Sequence, residues 1–282
     1  MHSETENKEN RKMIITNKKT ITIATIIFGL TGCDMIEYHP YDAHIEGMTT
    51  INSRNIVRIE ESLRGAETFR FAFITDTQRW YDETEDVVKA LNQRKDVDFV
   101  IHGGDLTDFG ATKELLWQRD ILNGLKIPYV CLIGNHDCLG TGEEVFNRVF
   151  GDPNFSFTAG DVRFVCLNTN ALEYDYSEPV PDFHFLETEH KSFPAETRRT
   201  LFAMHVKPFD EQFNNNVAKV FEYTLRTFPT PLCCIYGHGH KLAADDLFGD
   251  GLIYYQCSNI KDRKYLLFTI NKEGYDYEVV DF

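Results

Sequence analysis

Five apolar runs in this chain each end on Asp, Asn or His, and that repetition constrains the fold more than any bulk property. Residues 71–74 are Phe-Ala-Phe-Ile and lead through Thr75 into Asp76; residues 98–101 lead through His102-Gly103-Gly104 into Asp105. Residues 129–133 lead to Gly134-Asn135-His136-Asp137, residues 201–204 to His205, and residues 232–236 to Gly237-His238-Gly239-His240. Short apolar runs closed by turn residues read as buried strands. In open α/β sheets, ligands gather at the carboxyl ends of the strands. The glycine pair 103–104 suits a tight turn with close approach of the backbone to a ligand, and Gly237 and Gly239 offer the two histidines a free backbone path.

Between these runs the pattern turns helical. Val87, Val88 and Leu91 share one side of residues 83–91, and Leu115, Leu116 and Leu122 mark a helix over 112–122. Further helices are expected at 143–150, 182–190 and 216–225, and strands at 155–159, 162–167, 252–256, 264–270 and 275–280. Asn271-Lys272-Glu273-Gly274 reads as the turn of a closing hairpin. Alternating strands and helices followed by a strand-rich end give a layered α/β domain. Its boundary falls at residue 69, with 34–68 read as a spacer and 69–282 as the catalytic domain. Residues 139–141, 169–181 and 241–251 read as loops that shape a substrate pocket.

Asp76-x-Gln78, Gly104-Asp105, Gly134-Asn135-His136-Asp137, His205 and Gly237-His238-Gly239-His240, in this order, resemble the signature of the calcineurin-like metallophosphoesterases. The resemblance spans roughly 69–282 and implies a four-layer αββα sandwich. It implies two divalent ions (Mn, Fe, Zn or Mg) and a small phosphorylated substrate. Asp105 would bridge the ions. Asp76 and His240 would hold the first, with Gln78 where most of the family has His. Asn135, His205 and His238 would hold the second. His136 would give a proton to the leaving oxygen or stabilise transition-state charge, and Asp137 would orient its imidazole. Carboxylate, imidazole and amide together suit hard-to-borderline cations. A neutral amide at Gln78 is a weaker donor than imidazole, so that site is expected to bind more weakly or to favour Mn²⁺ or Mg²⁺. His102 reads as packing near the site, and Thr107 and Asp108 as a turn or helix start.

The net charge is −15, with no basic tract in the body of the chain, which disfavours duplex nucleic acid as a partner. Lys18-Lys19 precede an apolar run over 21–30 that ends in Leu30-Thr31-Gly32-Cys33. A charged flank and a short apolar core describe a secretory signal. Leu-Thr-Gly-Cys also resembles the bacterial lipobox, which implies that Cys33 is acylated and becomes the mature N-terminus. The expected assignment is therefore 1–33 as lipoprotein signal and a membrane-tethered body outside the cytoplasm, in a bacterial envelope. The other six cysteines form no Cys-x-x-Cys pair and read as buried free thiols. The expected activity is metal-dependent hydrolysis of phosphate mono- or diesters. The alternative is a lipoprotein that holds a phosphorylated ligand at a weakened, non-catalytic metal site.

Overall fold

The computed structural model describes residues 39–175 and 177–282, so the leader, the lipobox and Cys33 lie outside the described residues. Pro40–Phe282 form one compact unit. The first sheet holds β1 (Phe69–Ile74), β2 (Phe99–His102), β3 (Tyr129–Cys131), β10 (Lys264–Asn271) and β11 (Gly274–Asp281), in the order β11-β10-β1-β2-β3. The second holds β4 (Phe155–Ala159), β5 (Val162–Leu167), β6 (Arg199–Met204), β7 (Pro231–Tyr236), β8 (Ala243–Asp246) and β9 (Ile253–Gln256), in the order β4-β5-β6-β7-β9-β8. β1, β2 and β3 run parallel, as do β5, β6, β7 and β9.

The inner strands β1, β2, β5 and β6 are buried along nearly their whole length because both faces of each sheet are covered there, while the edge strands β8 and β11 are mostly exposed. Phe71, Phe73 and Phe99 point between the sheets and meet Phe157 and Phe164 of the second. Phe71 meets Phe164 edge-on at 5.3 Å, and Phe99 meets Phe157 edge-on at 5.7 Å. The alternate residues Ala72, Ile74 and Val100 face outward, against Val87 and Leu91 of α2 (Tyr81–Gln93), Leu115 and Leu122 of α3 (Thr112–Leu122) and Phe146 of α4 (Gly142–Val149). On the other side Val165, Phe202 and Cys234 meet Leu186 of α5 (Phe183–Lys191) and Phe221 and Leu225 of α6 (Ala218–Arg226). Helices, sheet, sheet and helices make the expected four-layer αββα sandwich.

Two stretches differ from expectation. Residues 51–62, inside the expected spacer, form α1 (Ile51–Ser62), which packs into the unit through the buried Ile51 and Ile59. Asn52 grips edge strand β3 from the side: its amide nitrogen donates to Cys131 O at 2.9 Å, and its oxygen accepts from Cys131 N at 2.9 Å. Asn55 donates to Tyr129 O at 2.8 Å. Side-chain amides thus satisfy edge groups that a further strand would otherwise take. Upstream, Arg148 and Thr141 donate to the carbonyls of Ala43 and Tyr41 at 2.8 and 2.9 Å. The compact unit therefore begins well before residue 69. The second difference is β8, Ala-Ala-Asp-Asp within the expected loop 241–251, which pairs antiparallel with β9. Its poor strand propensity is overridden by the available edge of β9.

The six described cysteines are free thiols, all buried except the partly buried Cys138. No helix among the described residues is long and apolar enough to cross a membrane.

Candidate metal centre

Parallel strands within each sheet bring their carboxyl ends to one edge of the sandwich. Asp76 leaves β1, Asp105 leaves β2 and Asn135 leaves β3, while His205 leaves β6 and His238 and His240 leave β7. Two groups of potential ligands result. Asp105, His205 and His238 form one; Asp76, Asp105 and His240 form the other, and within each the ligand atoms lie within 4.8 Å of one another. Asp105 is common to both.

In the first group, acceptor atoms are turned toward one another. His205 Nδ1 stands 2.8 Å from Gly103 O, and a carbonyl only accepts, so the proton sits on Nδ1. In the neutral ring Nε2 is then bare, 3.2 Å from Asn135 Oδ1 and 3.3 Å from Asp105 Oδ1. His238 Nδ1 lies 3.0 Å from the same Asn135 oxygen, while its Nε2 faces Asp210 Oδ1 at 3.3 Å. With both rings neutral and their outer nitrogens protonated, four lone-pair atoms would face one point, an arrangement that suits a cation between them. Burial alone would pull the His205 pKa down, yet the Asp105 carboxylate overrides it and holds it up at about 9, so without a cation the ring carries a second proton on Nε2, in the place a cation would take.

The second group is looser. Asp76 Oδ2 accepts from Thr75 Oγ1 at 2.7 Å and from His238 N at 3.1 Å. Its Oδ1 is buried and accepts no hydrogen bond. His240 Nε2 lies 3.1 Å from that oxygen, as an ion pair rather than along a hydrogen-bonding direction, and the Asp76 carboxylate raises the His240 pKa. Gln78 is buried; its amide nitrogen donates to Asp105 Oδ2 at 3.4 Å and its oxygen has no partner. Two orphaned oxygens beside a shared carboxylate fit a divalent cation.

The backbone is strained at these ligands. Asp76, Asp105, His238 and His240 have φ of 54°, 58°, 63° and 53°. Left-handed backbone at a non-glycine residue costs on the order of 1–3 kcal/mol each, and such strain collects at functional sites. Gly237 and Gly239 serve differently from expectation. Neither has positive φ; a Cβ on Gly237 would lie 2.2 Å from Thr75 Oγ1, and one on Gly239 1.8 Å from Gln256 Nε2. They supply room, and the histidines between and after them make the turns.

A profile of calcineurin-like phosphoesterases matches residues 69–242. The chain belongs to the calcineurin-like phosphoesterase family. A 3′,5′-cyclic-nucleotide phosphodiesterase from Nostoc is 27% identical over 164 residues, which cover 55% of this chain and 60% of that protein. The chain thus matches about three-fifths of that relative's length. Among solved structures, a dimetal phosphatase from Danio rerio superposes with a TM-score of 0.58 at 14% identity, over 76% of this chain and 99% of that one. GAP50, described as the anchor in the inner membrane complex of Plasmodium, gives 0.56 at 10% identity, over 76% and 84%. Both show the shared fold.

One residue of this calcineurin-like phosphoesterase chain does other work than expected. The Asp137 carboxylate does not hold the His136 ring. It is fully buried and accepts from Gly134 N at 2.9 Å, Leu106 N at 2.9 Å, Thr107 N at 2.8 Å and Thr107 Oγ1 at 2.9 Å. It clasps the β2 and β3 loops together, because the 3₁₀ turn His136–Cys138 aims it inward at free N–H groups. Burial, with the nearby Asp105 charge, pushes its pKa up to about 6. The His136 ring is held instead by a carbonyl, Asp108 O, 2.8 Å from Nδ1. His136 N donates to Asp105 Oδ1 at 3.0 Å, tying this turn to the shared carboxylate. His102 is fully buried, taking Gly104 N–H on Nδ1 at 3.2 Å and giving Nε2–H to Thr77 Oγ1 at 2.9 Å. Burial lowers its pKa to about 4, so it packs as a neutral ring. Asp210 was not visible in the sequence motifs; only its contact with His238 reveals it.

Proposed function

We propose that this protein is a metal-dependent phosphoesterase that hydrolyses phosphate mono- or diesters at a dinuclear centre. The observation that carries this reading is Asp105, common to two clusters of ligand atoms. Asp105 would bridge two divalent ions; Asn135, His205 and His238 would hold one, and Asp76, His240 and the Gln78 oxygen the other. When bound, such ions neutralise phosphoryl oxygens and make a nucleophile available near neutral pH. The chain's own residues supply the rest. Asp108 O pins the Nδ1 proton of His136, leaving Nε2 to carry and release the second proton to a leaving oxygen. Asp137 keeps the His136 turn rigid by fixing the backbone on both sides of it.

The identity to a 3′,5′-cyclic-nucleotide phosphodiesterase supports phosphodiesters as the first substrate class to examine. The lipobox-like Leu30-Thr31-Gly32-Cys33 supports a lipid tether at Cys33 that holds the catalytic body outside the cytoplasm, with residues 1–33 as signal peptide and lipobox.

The test is hydrolysis of para-nitrophenyl phosphate and bis-para-nitrophenyl phosphate by the chain lacking residues 1–33, with Mn²⁺, Zn²⁺, Fe²⁺ or Mg²⁺ added. Turnover that disappears in Asp105→Asn supports the reading, and the preferred ester separates mono- from diesterase. Folded protein without turnover under every metal contradicts it and favours a phospho-ligand-binding role. Labelling of intact cells with a fatty acid, lost in Cys33→Ala, tests the tether separately.

A further inference from the structure

Asp210 lies outside every strand-end motif, on the loop between β6 and α6, yet its Oδ1 stands 3.3 Å from His238 Nε2. We propose that Asp210 is the positioning residue of His238: its carboxylate takes the Nε2 proton and turns the bare Nδ1 toward Asn135, completing the first half of the metal centre. This rests on the metal-centre reading above.

A neutral imidazole carries one ring proton, and an ionised carboxylate can only accept it. Placing that proton on Nε2 leaves a lone pair on Nδ1, 3.0 Å from Asn135 Oδ1. Metal-binding histidines commonly give their other N–H to a carboxylate or carbonyl, which fixes the tautomer and raises ligand basicity. His205 does this with Gly103 O, and Asp210 gives His238 the equivalent support.

The loop is built to deliver this carboxylate. Phe209, immediately before it, has φ of 70°, and its ring rests 4.9 Å from that of Phe248. Left-handed backbone at a bulky residue is unfavourable. Asn215 holds the loop in this shape from both sides: its oxygen accepts from Phe209 N at 2.8 Å and its amide donates to Asp210 O at 2.7 Å. Gln212 N donates to Asp210 Oδ1 at 3.1 Å, fixing the carboxylate itself. An unfavourable local conformation, locked by three hydrogen bonds, is explained by what it places beside His238.

The experiment is calorimetric titration of the metal-free full chain with Mn²⁺ alone, in wild type, Asp210→Ala and Asp210→Asn, with the melting temperature of each metal-free protein measured alongside. Asp210→Ala is expected to weaken one of two Mn²⁺ sites by about 10–100-fold and leave the other unchanged, at a metal-free melting temperature close to wild type. Asp210→Asn, whose amide oxygen still accepts the Nε2 proton, is expected to keep more of that affinity. An alanine variant that binds both ions like wild type overturns the proposal. So does equal weakening of both sites in step with a lower melting temperature, which would mark a merely structural residue. Wild-type protein that takes up no Mn²⁺ overturns the metal centre itself.

Discussion

The two halves of the centre share Asp105 but are built to different standards. On the side of Asn135, His205 and His238, each histidine has its outer nitrogen satisfied, by Gly103 O and by Asp210. His205 is fully buried and the His238 side chain is 22% exposed. On the side of Asp76, Gln78 and His240, the His240 side chain is 47% exposed, and Asp76 Oδ1 and Gln78 Oε1 have no hydrogen-bond partner. Preorganised ligands lose little freedom on binding, while half-exposed ligands must be ordered by the ion. In the proposed dinuclear centre, one half would therefore be the tighter, preformed site and the other the weaker one, filled last and emptied first. Gln78 adds to this asymmetry, since an amide oxygen replaces the stronger imidazole donor.

The largest effect is expected from removing what the halves share. Asp105→Ala should lose both ions and lower hydrolysis by at least about 10³-fold, checked by metal analysis and ester turnover. Retention of one tightly held ion would show that the halves do not depend on a common carboxylate. His136→Ala should lower kcat by about 10²–10⁴-fold with both ions still bound, since the ring donates through Nδ1 to Asp108 O; loss of metal would place His136 among the ligands instead. Gln78→His should sharpen the comparison by tightening only the weaker half, by roughly tenfold in Mn²⁺ affinity. Unchanged affinity and metal preference would remove Gln78 from the explanation.

A separate effect concerns stability alone. His102 has a pKa lowered to about 4 from an ordinary 6.5, so between these values the unfolded chain binds a proton that the folded one refuses. Stability from this group is full above 6.5 and falls by about 3 kcal/mol as pH drops to 4. His102→Gln, which can still accept from Gly104 N and donate to Thr77 Oγ1, should lack that share of acid sensitivity in denaturant melts at pH 7 and pH 4.5. An identical loss in both proteins would mean that His102 does not stay neutral.

The strand-end residues were legible in the sequence because their placement needs only two facts, apolar runs and parallel pairing. Both are local patterns, and together they bring Asp76, Asp105, Asn135, His205, His238 and His240 to one edge. Asp210 was not legible, because its contact depends on the left-handed backbone at Phe209 and the grip of Asn215, neither of which has a sequence period. Asp137 misled for a related reason: adjacency to His136 suggests a partner, yet a 3₁₀ turn points successive side chains in different directions. Helix α1 hid behind polar residues, and two of them, Asn52 and Asn55, are what bind it to β3. The edge strand β8 has no strand-like composition and forms because β9 offers it an edge.

The central claim is that two ions share Asp105, and the electron paramagnetic resonance spectrum of the chain loaded with two equivalents of Mn²⁺ tests it most directly. A carboxylate bridge predicts the signature of an exchange-coupled Mn²⁺ pair, preceded at one equivalent by the signal of a single ion in the tighter half. Two equivalents that give only isolated-ion signals would contradict a shared Asp105.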